Sequence, residues 1–155
     1  PLLGGEGSVD PFKLSQDFGL PTYVVKRIIY RHGTRANEVL GLTRENPYWR
    51  SHICLCEPVT EAELRYCIRE EWVKTLDDLR RRTRLGMGPC QGARCALKAG
   101  FVLADELGMS AEWARNEVKN FLSERWKGKA AILGGAHLAQ EELNQAIHQC
   151  VGNYG

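Results

Sequence analysis

Four cysteines in two close pairs carry the most chemical information in this sequence. Cys54 and Cys56 form a CxC pair, and Cys90 and Cys95 form a CxxxxC pair further along the chain. On extended backbone, residues two apart point to the same side at roughly 7 Å, so the first pair can present two thiolates to one centre. Together the pairs offer four soft ligands, which suit either Zn²⁺ or an iron–sulfur cluster in tetrahedral sulfur coordination. Spacing alone leaves both open, although structural zinc sites more often use CxxC knuckles. The surroundings favour the cluster, because a four-thiolate [2Fe-2S] centre is anionic and gains from peptide N–H groups and nearby cations. Gly86, Gly88 and Gly92 allow close backbone approach, Cys95 is expected in the first turn of a helix, and Arg82, Arg84 and Arg94 are near in sequence.

Other polar residues read more plainly. Cys67 and Cys150 are expected as ordinary buried or spare thiols. His32, His52, His137 and His148 share no metal-ligand spacing; His52 could hydrogen-bond to the centre, but an exposed loop histidine is the simpler expectation. The glycine-rich stretch lacks both the spacing of a dinucleotide fingerprint and a preceding strand. The run Arg80-Arg81-Arg82-Thr83-Arg84 raises a nucleic-acid module as a rival, yet a basic run on a helix is usually a solvated face, and Asp77 and Asp78 lie one turn away. Trp49, Trp72, Trp113 and Trp126 read as core or interface side chains.

The elements that must position the cysteines are helical. Gly4, Gly5, Gly7 and Ser8 make residues 1–10 read as a linker. A lead-in over 11–50 holds a helix from Pro21 to Gly33, with Val24, Val25, Ile28 and Ile29 at helical spacing, and another from Thr34 to Leu42, stopped by Asn46-Pro47. Tyr48 to Cys56 is irregular or extended. The segment 51–108 carries the cysteines. Thr60-Glu61-Ala62-Glu63 is a capping box, Thr75-Leu76-Asp77-Asp78 is a similar start, and Ala93 to Leu107 reads as helix ended by Gly108. C-terminal helices fill 109–155, one capped by Ser110 and reaching Trp126, another over Leu138 to Ile147. No sustained strand alternation or repeat appears, so the predicted fold class is all-α, a small multi-helix domain.

Length and charge bound the rest. A chain of 155 residues can bury a full core. Lys and Arg number 21 against 19 Asp and Glu, a formal +2, too weak a bias to imply nucleic acid or an anionic membrane. No signal peptide or transmembrane segment is visible. Six cysteines without a secretory signal favour metal-binding over disulfide use in a reducing, cytoplasmic setting. The start on Pro1 leads us to expect further chain toward the N-terminus.

The run Cys54-Leu-Cys-Glu-Pro-Val-Thr-Glu-Ala-Glu63, followed by Thr75-Leu-Asp-Asp-Leu-Arg-Arg-Arg-Thr-Arg-Leu-Gly-Met-Gly-Pro-Cys-Gln-Gly-Ala-Arg-Cys95, resembles the C-terminal domain of anaerobic-type, FAD-dependent glycerol-3-phosphate dehydrogenases. That domain is similar to the bacterioferritin-associated-ferredoxin type of [2Fe-2S] module. Leu64-Arg-Tyr-Cys-Ile-Arg-Glu-Glu-Trp72 and Glu124-Arg-Trp-Lys-Gly128 are similar to the same domain, and the resemblance covers nearly the whole chain. It implies that Cys54, Cys56, Cys90 and Cys95 are the cluster ligands, and that no catalytic residue lies in this chain. FAD and most substrate contacts would belong to an N-terminal flavin domain, and electrons would pass toward quinone through a downstream iron–sulfur or membrane-anchor protein. The alternative is a structural zinc domain with four cysteine ligands, serving as an interaction module.

Overall fold

The computed structural model describes residues 9–151, with side chains as far as residue 147. The expected linker therefore lies mostly outside the described residues, as does the side chain of Cys150. Within them the chain is all-α, with eight α-helices and one two-stranded hairpin. The first helix, α1 (Pro11–Phe18), lies in the helical lead-in and buries Leu14 and Phe18. Asp10, expected in the linker, caps it by accepting from the Phe12 N–H at 2.9 Å, and Pro11 opens it where a missing N–H costs nothing. Helix α2 (Thr22–His32) buries Val24, Val25 and Ile28 and ends at Gly33, as its pattern predicts.

The helix predicted from Thr34 runs instead as a short 3-10 turn at Gly33–Arg35 and then α3 (Ala36–Glu45), which ends three residues later than expected. Asn46 is extended, as a residue before proline should be. Trp49, on a 3-10 turn at Pro47–Arg50, lies under the guanidinium groups of Arg65 and Arg69 at 4.6 and 5.0 Å. The stretch expected to be irregular or extended contains strand β1 (His52–Cys54), paired antiparallel with β2 (Val59–Thr60). A pairing this short leaves no alternation for a sequence to display.

Two capping expectations divide. At α5 (Leu76–Thr83) the box is complete, with Thr75 and Asp78 each accepting from the other's backbone N–H. At α4 (Glu61–Glu70) only half forms. The Thr60 hydroxyl accepts from the Glu63 N–H at 3.4 Å, but the Glu63 carboxylate turns inward, fully buried. There it receives Arg31 Nε and Nη2 at 2.5 and 2.8 Å, and His32 Nε2 at 2.9 Å. Arg31 also reaches the Pro58 carbonyl at 3.0 Å, and the His32 ring stands edge-on to Tyr66 at 5.8 Å. A buried carboxylate needs such partners more than a helix start needs its reciprocal cap.

The second half is a helical stack. Helix α6 (Ala96–Leu107) begins three residues later than predicted and packs against α4 on one side and α7 (Ala111–Ala130) on the other. Contact with α7 is closest at Gly100, where an added Cβ would sit 2.5 Å from Val118 Cγ2. Glu117 of α7 accepts from the Leu76 N–H at 2.8 Å, and Arg125 pairs with Asp77 at 2.8 Å, so α7 also holds the start of α5. Helix α8 (Gly135–Val151) follows, linked to α7 by the Lys129–Glu141 pair. Trp113 packs on the core as expected, whereas Trp72 is 83% exposed with a left-handed φ of 59°. None of the described helices is long and apolar enough to cross a membrane.

Two substitutions test this packing. Gly100→Ala should lower the melting temperature, because overpacking of about 1–3 kcal/mol outweighs the helix-propensity gain of up to about 1 kcal/mol. Glu63→Gln should destabilise by about 3–5 kcal/mol in denaturant titration, since it leaves Arg31 buried without a counter-charge.

Candidate functional site

The two cysteine pairs meet on opposite walls of one cleft of about 220 Å³, formed where the β1–β2 turn faces the glycine-rich loop before α6. Cys54 ends β1 and is buried, whereas Cys56 sits in the turn and is exposed. Both thiols still line the one cleft, but at different depths, because the chain leaves the strand directly after Cys54. Cys90 is half-buried in the loop, and Cys95 is buried at the N-cap of α6 rather than inside its first turn.

The loop is compact because its own backbone closes it. Met87, Gln91, Ala93 and Ala96 donate their N–H groups back to Arg84, Gly88, Cys90 and Gly92 at 2.9–3.1 Å, and the Gln91 amide reaches the Gly88 carbonyl at 3.0 Å. Two glycines are required by space. At Gly92, with φ of 91°, an added Cβ would lie 2.6 Å from the ring of Phe121, which forms the loop's floor. At Gly88 it would lie 2.2 Å from Cys56 Cβ and 3.0 Å from its sulfur. The loop is thus clamped between Phe121 below and Cys56 above.

The thiols interact across the walls. Cys95 is the main reason the Cys54 pKa falls to about 5, with further help from the N–H groups of Glu57, Gly86 and Cys56 against the cost of burial, and the Cys95 S–H lies 3.9 Å from the Gly92 carbonyl that accepts from it. Cys54 and burial drive the Cys95 pKa upward. The two thiols are thus shifted in opposite directions. Cys56 is raised, by desolvation first and then by the charge and hydrogen bond of Cys90. Among the described residues, no group of three or more His, Cys, Asp or Glu side chains is arranged to hold a metal ion as it stands. What converges is four thiols on one cleft, with Cys56 feeling both Cys90 and Cys54 and Cys95 feeling both Cys54 and Cys90.

Of the three arginines expected around the centre, Arg94 lines the cleft, but Arg82 pairs with Glu71 and Arg84 with Glu57. Lys98, one helical turn beyond Arg94, also lines it. The i,i+4 spacing of Arg94 and Lys98 is the signal that could have found it. His52 lines the cleft too and is not an exposed loop residue; its Nε2 is buried without a hydrogen-bond partner. Cys67 is a fully buried core thiol whose pKa burial pushes upward, as expected.

An all-helical domain that gathers four thiols from two loops is the class that fold and site define. Residues 1–114 match the C-terminal domain of alpha-glycerophosphate oxidase, and the chain belongs to that family. It is 37% identical over 145 residues to the A subunit of anaerobic glycerol-3-phosphate dehydrogenase from Escherichia coli K12, covering 92% of this chain and 26% of that protein. The corresponding A subunit of Haemophilus influenzae is 35% identical over 85% of this chain and 23% of its own length. The A1 subunit of Haloferax volcanii is 33% identical over 99% of this chain and 25% of its own length. The chain spans about a quarter of the length of these relatives. No solved structure gives a significant match.

The lowered Cys54 thiol is open to titration. In the metal-free chain, ultraviolet thiolate absorbance should show one group ionising near pH 5. Cys95→Ala removes the largest influence lowering Cys54, so that step should move up toward the ordinary thiol range.

Proposed function

We propose that this chain is the electron-transfer domain of a glycerol-3-phosphate dehydrogenase, with Cys54, Cys56, Cys90 and Cys95 ligating a [2Fe-2S] cluster. The observation that carries the proposal is the convergence of four thiols on one cleft, with peptide N–H groups of Glu57 and Gly86 aimed at sulfur. The donor set fits: thiolate sulfur is the ligand such clusters use, Gly88 leaves room beside Cys56 where any Cβ would intrude, and Arg94 and Lys98 supply compensating positive charge. Bound there, the cluster would supply one-electron redox chemistry. The chain's own residues orient the sulfurs, exclude water from Cys54 and Cys95, and stabilise negative charge through N–H donors. In this reading FAD and the oxidation of glycerol 3-phosphate to dihydroxyacetone phosphate belong to a flavin domain outside this chain. That domain is its immediate partner, and a further iron–sulfur or membrane-anchor protein receives the electrons on the way to quinone.

The test is anaerobic purification with iron and acid-labile sulfide counts, followed by visible and EPR spectra. Equal iron and sulfide with a [2Fe-2S] signal is expected, and Cys90→Ser should abolish or sharply alter that signal while helical circular dichroism persists. Stoichiometric zinc without sulfide would establish the structural-zinc alternative, and an unchanged spectrum in Cys90→Ser would remove that residue from the ligand set.

A further inference from the structure

We propose that the outer face of α2, together with Phe12 of α1, is the surface on which the flavin domain docks, and that the facing patch of that domain is apolar and acidic. This rests on the dehydrogenase reading above and adds to it where the two domains meet.

Helix α2 divides into two unlike faces. Val24, Val25 and Ile28 are buried in the core, and Arg31 and His32 turn inward to Glu63. The opposite face carries Tyr23, Lys26, Arg27 and Tyr30, at the i, i+3, i+4 and i+7 positions that share one side of a helix. Tyr23 is 59% exposed and Tyr30 74%. Phe12 extends the strip from α1, 63% exposed, with the Lys26 ammonium 5.1 Å from its ring centre. Three large rings therefore stand in water along one strip, and the core of this domain uses none of them. A solvated helix face ordinarily mixes charges of both signs. Yet α2 contains no acidic residue, and among the described residues neither Lys26 nor Arg27 pairs with a carboxylate. Tyrosine, phenylalanine and arginine are residues that protein interfaces favour.

Charge and connectivity choose the occupant. A two-fold contact through this face would set Lys26 and Arg27 of one copy against the same cations of another, and like charges opposed across an interface are costly. A second copy is therefore a poor fit. The flavin domain is the neighbour that connectivity supplies. The chain spans about a quarter of its relatives' length and matches a C-terminal domain, so in this reading the remaining length precedes residue 1. The described chain begins at Val9 and enters α1 at Pro11, next to Phe12. A domain tethered there is held beside the strip at high effective concentration. Its facing patch needs carboxylates for Lys26 and Arg27, apolar sockets for the rings, and acceptors for the two phenol O–H groups.

Hydroxyl-radical footprinting with peptide mass mapping compares the 155-residue chain alone with the full-length subunit that carries the flavin domain. Phe12, Tyr23 and Tyr30 should be labelled in the chain alone and lose that labelling in the subunit. Equal labelling in the two overturns the proposal. So does loss of labelling in the chain alone as its concentration rises, which identifies a second copy as the occupant. Labelling in the subunit that is lost only when phosphatidylglycerol vesicles are added also overturns it, in favour of a lipid surface. The double variant Arg27→Glu with Tyr30→Ala should leave the helical circular dichroism of the chain alone unchanged and restore labelling of Tyr23 in the subunit. Persistent protection of Tyr23 in that variant overturns the acidic, apolar partner patch. A preceding domain that binds no flavin overturns the dehydrogenase reading itself, whereas the footprint alone decides where the two domains meet.

Discussion

The buried carboxylate of Glu63 is the constraint on which one wall of the cleft depends. An ionised carboxylate removed from water is tolerated only when its oxygens are filled by donors, and here Arg31 fills both oxygens while His32 shares one. Those donors come from the end of α2, and the acceptor lies in the first turn of α4, so the ion pair fixes the two helices against each other. Arg31 then spends a further N–H on the Pro58 carbonyl, two residues past Cys56. A turn of this length has little apolar surface with which to anchor itself. Its position is set largely by a guanidinium that the lead-in helices deliver from below.

The opposite wall is set by α7. Phe121 lies under Gly92, Glu117 accepts from the first peptide N–H of α5, and Arg125 pairs with Asp77, so a single helix supports both ends of the segment that runs into the glycine loop. Interhelical closeness at Gly100 makes this support rigid, because backbone and Val118 meet with no room for a methyl group. Each wall is therefore held from behind by elements remote in sequence, and the thiols meet as a consequence. The electrostatics follow from the same placement. Glu71 and Glu57 neutralise Arg82 and Arg84, and the cations left at the cleft are Arg94 and Lys98, which line it with the four cysteines.

Much of this was legible in the sequence where one local rule acted alone. Val24, Val25, Ile28 and Ile29 announced α2, Thr75 with Asp78 announced α5, and Gly108 with Ser110 marked the change from α6 to α7. Prediction failed where a distant partner overrode the local rule. Glu63 reads as a capping residue from its neighbours alone, and only the arrival of Arg31 turns it inward. The β1–β2 hairpin pairs too few residues to leave a period, so the difference in depth between Cys54 and Cys56 left no sequence trace. Arg82 and Arg84 read as free cations because their acceptors, Glu71 and Glu57, lie far enough away in sequence that only the folded chain pairs them. The four cysteines themselves stood out by type and spacing, whereas their depth in the cleft is a property of the turn.

Strain in the glycine loop bears on how the site is kept ready. Gln91 takes a left-handed φ of 46°, and Arg84 one of 64° where α5 ends. Side chains in that region cost of order 1–3 kcal/mol each and persist only where the surroundings over-determine them. Arg84 is held by its N–H to Arg80 and by Glu57 from the opposite wall, and Gln91 by amide bonds to the Gly88 and Met87 carbonyls. The loop between them is consequently preset before any ligand arrives, with Cys90 and Cys95 at different depths. A loop free to relax would bring its thiols to a metal only by surrendering conformational entropy. The Arg84–Glu57 contact also crosses the cleft from one wall to the other, so the strained end of α5 and the turn that carries Cys56 constrain each other.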